Sequence, residues 1–208
     1  TVSVLTVPLL AADGEVLGHA ALIRSDPTAR TGELGVAAVS PRYRSGGVAH
    51  QLSAWLLDWA ARQGWHGVNA NAVTSHPFSQ HLCARLDFRP CGLLLGLAPA
   101  SLSFHGIADR LRQRESCVLA YRALQPAPAR TLYPPLRYQN LLTRIYGRLD
   151  RPVSFAPGQA PAAATSRWET TAKAHLGTAI LTLHQPGRDA ARVVAGQLLA
   201  LRRQGMEC

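Results

Sequence analysis

Lysine is almost absent from this chain: Lys173 stands alone among 22 basic residues, and the rest are arginines. That bias reflects the composition of the source as much as any nucleic-acid role. Residues 1–124 hold eleven arginines against eight acids, net +3, and residues 125–208 hold ten arginines and Lys173 against four acids, net +7. Such charge suits an anionic partner, yet no basic run with interleaved aromatics exists, so nucleic acid is not the expected one. Cysteine is sparse as well. Cys83, Cys91, Cys117 and Cys208 form no C-x-x-C pair, which points to neither a zinc site nor a disulfide framework and makes a reducing cytoplasm the expected compartment. The eight histidines include no H-E-x-x-H arrangement, so no metal centre is expected. Long apolar runs are missing too. The longest uncharged stretch, 90–108, is broken by Pro99, Ser101, Ser103 and His105 and is too polar to span a membrane. No signal-peptide pattern is visible. Thr1 begins inside a strand-like run and Cys208 follows directly on a helical pattern, which suggests a piece of a longer protein.

What is present is enough apolar residue, 47% of 208, to bury one good core or two small ones. Residues 1–10 and 16–23 read as two strands around the turn Asp13-Gly14. Glu33 to Val39 reads as a central strand, apolar on both faces, ended by Pro41, which cannot donate to a ladder. Val48, Leu52, Trp55, Leu56 and Trp59 recur at helical spacing up to Arg62, with Gly64 as a stop. A strand at 67–73 follows. Then comes a helix from about Pro77 to Leu86, capped by Thr74 or Ser75 and buried through Phe78, Leu82 and Leu86. Strands at 91–97 and 116–124 complete an α/β order, with Leu93 to Leu97 read as a buried strand.

Residues 125–129 read as a linker, 139–149 as a helix and 157–166 as a flexible loop. Strands at 170–174 and 178–184 and a helix at 189–204 faintly repeat the strand–loop–helix order of the first half. The expected divisions are therefore 1–124, 125–166 and 167–208, the last a partial second α+β half.

Between the central strand and the first helix lies Ser40-Pro41-Arg42-Tyr43-Arg44-Ser45-Gly46-Gly47. A glycine-bearing loop that opens a helix leaves several backbone N–H groups pointing one way, a receptor for phosphate oxygens. An ordinary turn relieved by glycine is the competing account. The loop's place at the carboxyl end of a central strand favours the receptor, because open α/β sheets bind ligands there.

Arg44-x-x-Gly47-x-Ala49, preceded by Val39-x-Pro41, resembles the pyrophosphate loop of the GNAT superfamily of acyl-CoA-dependent N-acyltransferases. The resemblance covers roughly residues 1–124 and lacks that fold's usual first strand and helices. It implies a mixed, mainly antiparallel central sheet flanked by helices. It also implies acetyl-CoA or another acyl-CoA as co-substrate, with Val39 on a splayed strand edge and Arg44, Ser45, Gly46, Gly47, Val48 and Ala49 forming the cradle. Downstream, His76, Ser79, Leu82, Cys83, Leu86, Asp87 and Phe88 fall in the register of the family's N-x-x-A-x-x-L-Y-x-x-L-G-F. His76 and Ser79 would then meet the cofactor, and Asp87 would stand in for the helix-ending glycine.

Cys83 occupies the place where relatives commonly carry a tyrosine that protonates the leaving thiolate. A thiol can supply a proton, with a reference pKa of about 8.5 against about 10 for tyrosine; a small buried hydrophobe is the competing reading. Glu33 lies where some relatives carry a glutamate base, or is a solvated strand-end carboxylate. His19 and His76 are further base candidates of lower rank. The run Arg110-x-Arg112-x-Arg114 either meets an anion or is a solvated face.

The resemblance implies an enzyme, an acyltransferase moving an acyl group to a small-molecule or peptide amine by direct attack in a ternary complex. The alternative is a catalytically impaired acyl-CoA-binding regulatory module of a larger bacterial signalling protein, with a regulatory protein partner. Similar sequences beside ATP-binding domains of the anti-sigma type would suit it.

Overall fold

The computed structural model describes residues 3–24, 26–100, 111–158, 162–173 and 177–206. The chain forms two compact units, Thr1–Phe155 and Ala156–Cys208.

The first unit is built on a six-stranded sheet. Its strands are β1 (Ser3–Leu10), β2 (Val16–Arg24), β3 (Thr31–Val39), β4 (Gly67–Val73), β5 (Arg89–Ala98) and β6 (Glu115–Ala123), in the spatial order β1-β2-β3-β4-β6-β5. Every neighbouring pair is antiparallel except β3 with β4. Helix α1 (Val48–Arg62) makes the crossover that this parallel pair requires, and α2 (Phe78–Arg85) links β4 to β5. The architecture is the mixed, mainly antiparallel α/β sheet expected from the sequence.

Alternation decides which face is buried. Leu5, Val7, Ala20, Leu22, Leu34, Val68 and Ala70 share one face and pack against Leu52, Leu56, Leu57 and Ala60 of α1. The buried arc of α1 is centred on Leu56 and extends to Leu57, so Trp55, read as part of the stripe, lies exposed at its edge. Phe78 is exposed for the same reason, leaving Leu82 and Leu86 to seat α2. The opposite sheet face carries Glu33, Asn69, Asn71 and Tyr121 on strand positions that alternate with the core residues.

The apolar run in β5 is not buried. Leu93, Leu95 and Leu97 are 56%, 78% and 41% exposed because β5 is an edge strand. Nor does Thr74 or Ser75 cap α2. Pro77 is the residue before the helix and no side chain caps it. The Thr74 and Ser75 amides instead donate to the Glu115 carboxylate, at 2.8 and 3.1 Å.

Residues 130–155 add a small parallel pair missed in the sequence, β7 (Arg130–Leu132) with β8 (Val153–Phe155), joined by α3 (Leu136–Arg148). Arg151 ties this segment to the main sheet. It donates to the carbonyls of His66 and Gln125 and to the Tyr121 hydroxyl, and lies over the Tyr121 ring. The second unit pairs β9 (Arg167–Lys173) antiparallel with β10 (Thr178–Gln185), followed by α4 (Ala190–Arg203). Arg110 of the basic run lies outside the described residues, as do Thr1 and Cys208.

Candidate functional site

The central strands form a fork. Pairing of β3 with β4 is confined to Thr31–Gly67, Gly32–Val68 and Glu33–Asn69. Beyond Glu33, β3 keeps its ladder with β2 but has no partner on its other edge among the described residues. A bulge marks the departure: His19 pairs Ala38 and Ala21 pairs Gly35, so two steps on β2 face three on β3. Within that bulge Val36 has φ +50 and is 61% exposed. A β-branched residue in left-handed backbone is a genuine outlier, and strain of this kind gathers at functional sites. Val39, expected on the open edge, pairs Gly18 of β2 on one side and carries its side chain against the core.

The loop after β3 is pinned from below. Ser40 N–H donates to Leu17 carbonyl at 2.9 Å, and the Tyr43 hydroxyl donates to Glu15 at 2.5 Å. That bond, followed by desolvation, raises the Tyr43 pKa above its usual value. Gly18 permits the approach, since a Cβ there would lie 2.7 Å from the Ala38 carbonyl and 3.1 Å from Val48 Cγ1. Ser45 (φ +68) and Gly47 (φ +81) both adopt left-handed backbone.

Gly47 then opens α1 with no side-chain cap and no acidic residue in the first turn. The first amide closed inside the helix is that of Gln51, bonded to the Gly47 carbonyl at 2.9 Å. Val48, Ala49 and His50 amides thus belong to the set that a helix leaves without intrahelical acceptors. A Cβ at Gly47 would meet nothing within 4 Å, so space lies directly beside these donors. Arg42 and Arg44 add positive charge, and the Arg42–Glu15 pair, at 3.4 Å and well exposed, offsets little of it. The side chain of Val48 is buried, so Val48 offers a ligand its backbone alone.

The other prong of the fork leads to α2. Glu115, 4% exposed, accepts from the Thr74 amide, the Thr74 hydroxyl (2.6 Å) and the Ser75 amide, fixing the turn that carries His76. Burial pushes the Glu115 pKa up, but these donors outweigh it and hold the carboxyl below its ordinary range. The His76 ring lies 5.4 Å from that of Phe78. Ser79 Oγ is shielded from solvent without a hydrogen-bond partner among the described residues. Cys83 is half-buried against the core, and its desolvation raises the thiol pKa, so it keeps its proton at neutral pH. Asp87 ends α2 at φ +58, the left-handed conformation expected of it.

At the crotch of the fork stands Glu33. Asn71 Nδ2 donates to Glu33 Oε1 at 3.0 Å, bridging β4 and β3 just where their backbones separate. Sequence reasoning missed both Asn71 and Glu115. A signal for Asn71 was present in Val68-Asn69-Ala70-Asn71-Ala72, where amides alternate with small apolar residues. His19 sits opposite Ala38, across the bulge from Glu33, with Nδ1 shielded and lacking a hydrogen-bond partner among the described residues. Arg114 is committed to the Gly96 carbonyl at 2.8 Å. No group of three or more potential metal ligands occurs among the described residues.

The second unit repeats the strand–loop–helix order with different chemistry. Asp189 precedes α4, and its carboxylate accepts from the Ser166 amide and hydroxyl at 2.7 Å each. The Ser166 hydroxyl bond, then desolvation and the Ser166 amide bond, act on Asp189 with a net lowering of its pKa. A carboxylate at that helix start disfavours an anion, whereas α1 begins at Gly47 with no carboxylate in its first turn.

These residues fit an acyl-CoA: uncapped amides beside open space, two nearby arginines, an unpartnered serine hydroxyl and an open strand edge. Residues 4–88 match the model of the acetyltransferase (GNAT) family, less than half of the chain. No curated protein matches the sequence. Among solved structures, nourseothricin acetyltransferase is 18% identical over 59% of this chain and 66% of its own, TM-score 0.48. A GCN5-related N-acetyltransferase from Kribbella flavida is 25% identical over 58% and 67%, TM-score 0.46. An N-acetyltransferase from Staphylococcus aureus Mu50 is 22% identical over 55% and 65%, TM-score 0.45. The chain thus spans about two thirds of the length of these proteins.

Proposed function

We propose that residues 4–88, which match the model of the acetyltransferase (GNAT) family, form a domain of that family and that the protein transfers an acyl group from acyl-CoA to an amine. The observation that supports this reading most strongly is the fork itself: a β3 edge without a strand partner among the described residues, followed by an uncapped, glycine-opened helix. The pyrophosphate takes the amides around Gly47, Val48 and Ala49, with Arg44 and Ser45 at its rim and Gly46 giving backbone room. The pantetheine arm extends the ladder along Gly35–Val39, and His76 and Ser79 line the facing prong.

The reaction is direct attack in a ternary complex. The amine lone pair adds to the thioester carbon, and a backbone N–H of the strained bulge polarises the carbonyl oxygen. One amine proton passes to Glu33, the C–S bond breaks, and the departing thiolate takes the proton that burial keeps on Cys83. Holding both reactants in the fork supplies much of the acceleration. The acceptor is a small-molecule or peptide amine, and the compartment, read from sparse and unpatterned cysteine, is the cytoplasm. Among the described residues no helix is long and apolar enough to cross a membrane.

One observation favours a second reading, an acyl-CoA-binding regulatory module: Cys83 packs with the core cluster. Calorimetric titration with acetyl-CoA, paired with a free-thiol release assay over primary amines and peptides, separates the two. Binding with thiol release supports the enzyme, binding without release over the panel supports the module, and no binding removes both.

A further inference from the structure

Asn71 is a polar side chain with one half engaged and the other idle. Its amide donates to Glu33 at 3.0 Å, which fixes the side-chain plane and identifies the remaining atom as the carbonyl oxygen. That Oδ1 is shielded from solvent and has no hydrogen-bond partner among the described residues. A buried carbonyl left unpaired in this way destabilises the fold. Its position gives the cost a purpose. Asn71 lies two residues past the last β3–β4 pair, so it stands inside the fork and not in a closed sheet.

Asn71 and its β6 partner Leu119 share the sheet face opposite α1, on which Glu33 also stands. Across the fork the facing position on β3 is Gly35. A Cβ built there would come 3.5 Å from Glu33 Oε1 and 3.6 Å from Ile23 Cδ1, so glycine keeps free the volume beside the carboxylate. Burial, then the charges of Glu115 and Glu33, raise the pKa of Cys117 on β6, consistent with a carboxylate facing the same space.

We propose that Asn71 Oδ1 and the Glu33 carboxylate together receive the acceptor amine, each taking one N–H. This rests on the acyltransfer reading above and assigns its acceptor subsite. A primary amine has two hydrogens, and the reaction disposes of them differently. The nitrogen lone pair forms the C–N bond, one proton goes to Glu33, and the C–S bond breaks with its electron pair leaving on sulfur. The second hydrogen stays on nitrogen as the amide N–H, and this is the one Asn71 holds throughout. Two fixed acceptors aim the lone pair away from themselves, towards the thioester. A secondary amine, with one hydrogen, cannot satisfy both, so the site selects primary amines.

The test uses a conjugate in which the nitrogen of butylamine is joined to the coenzyme A sulfur through an acetyl bridge. Its amide N–H stands in for the hydrogen that Asn71 holds. Calorimetry measures Kd for the conjugate and for acetyl-CoA with the wild type and Asn71→Ala. Asn71→Ala should weaken the conjugate about tenfold, the value of one hydrogen bond, while acetyl-CoA affinity stays within about twofold. An unchanged conjugate-to-acetyl-CoA ratio in Asn71→Ala overturns the assignment and leaves the acyl-CoA reading standing. A wild type that binds neither compound removes both.

Discussion

Replacing Gly47 by alanine separates a phosphate cradle from a plain turn, because the two accounts predict different pairs of numbers. At φ +81 an L-residue costs about 1–2 kcal/mol relative to glycine. No steric clash adds to it, since the new methyl would meet no protein atom within 4 Å. Unit 1 should therefore stay folded, with Tm lower by roughly 2–8 °C for a chain of this size. The methyl would project into the space beside the Val48 and Ala49 amides, holding a phosphate off its donors. Losing one charge-assisted bond of about 1.5–3 kcal/mol weakens acetyl-CoA by about 10- to 100-fold. Asp87→Gly is the companion. It removes the same kind of strain at φ +58, after α2 and outside the cradle, so stability should hold or rise by less than about 1 kcal/mol and acetyl-CoA affinity should not change. Both readings come from one thermal melt and one titration for each variant. If Gly47→Ala lowers Tm as expected yet binds acetyl-CoA like the wild type, the loop is only a turn and the cofactor placement is wrong.

Three further outcomes follow from strain, proton inventory and buried charge. Val36→Gly should stabilise the unit by about 1 kcal/mol by relieving φ +50 in the bulge, read as a higher denaturant midpoint; a lower midpoint would show that the valine side chain contributes more than its backbone costs. Cys83→Ala should lower kcat by about a hundredfold and leave acetyl-CoA affinity unchanged, whereas an unaltered kcat would reassign the thiol to packing. Glu115 has a depressed pKa, so its contribution is present above its unfolded-state value, about 4.3, and is lost as pH falls through the lower folded value. Melting between about pH 5 and 3 should therefore show a steeper acid loss in the wild type than in Glu115→Gln, and parallel curves would refute the assignment.

Features set by a few neighbouring residues were legible from the chain. Val48 to Arg62 and Gly67 to Val73 coincide with α1 and β4, because helical spacing with a glycine stop and a period-two alternation of apolar residues with asparagines are both local patterns. Left-handed Asp87 was implied by the resemblance, in which Asp87 takes the place of a helix-ending glycine. Features that depend on distant partners were not. The Leu93–Leu97 run reads as buried until β5 proves to be an edge, and Thr74 and Ser75 read as caps until Glu115, some 40 residues away, takes their amides. The three-residue strands β7 and β8 carry too few residues for any period to show.

The site divides along the same line. The proposed phosphate cradle is a contiguous segment, Val39 to Ala49, where loop and helix start are neighbours in sequence, so the motif is local. The proposed acceptor half of the site is assembled by the fork, where Glu33 and Asn71 meet only because β3 and β4 pair for three residues and then part. Alternation places Asn71 on the face away from the core, but alternation continues unchanged through a strand that splays. The bulge at Val36 is equally silent, since a valine in a strand-like run advertises extended backbone and instead adopts φ +50. Under the proposed function, sequence points to the cofactor side more readily than to the acceptor side, because the proposed cradle is local backbone and the proposed acceptor subsite depends on the long-range divergence of two strands.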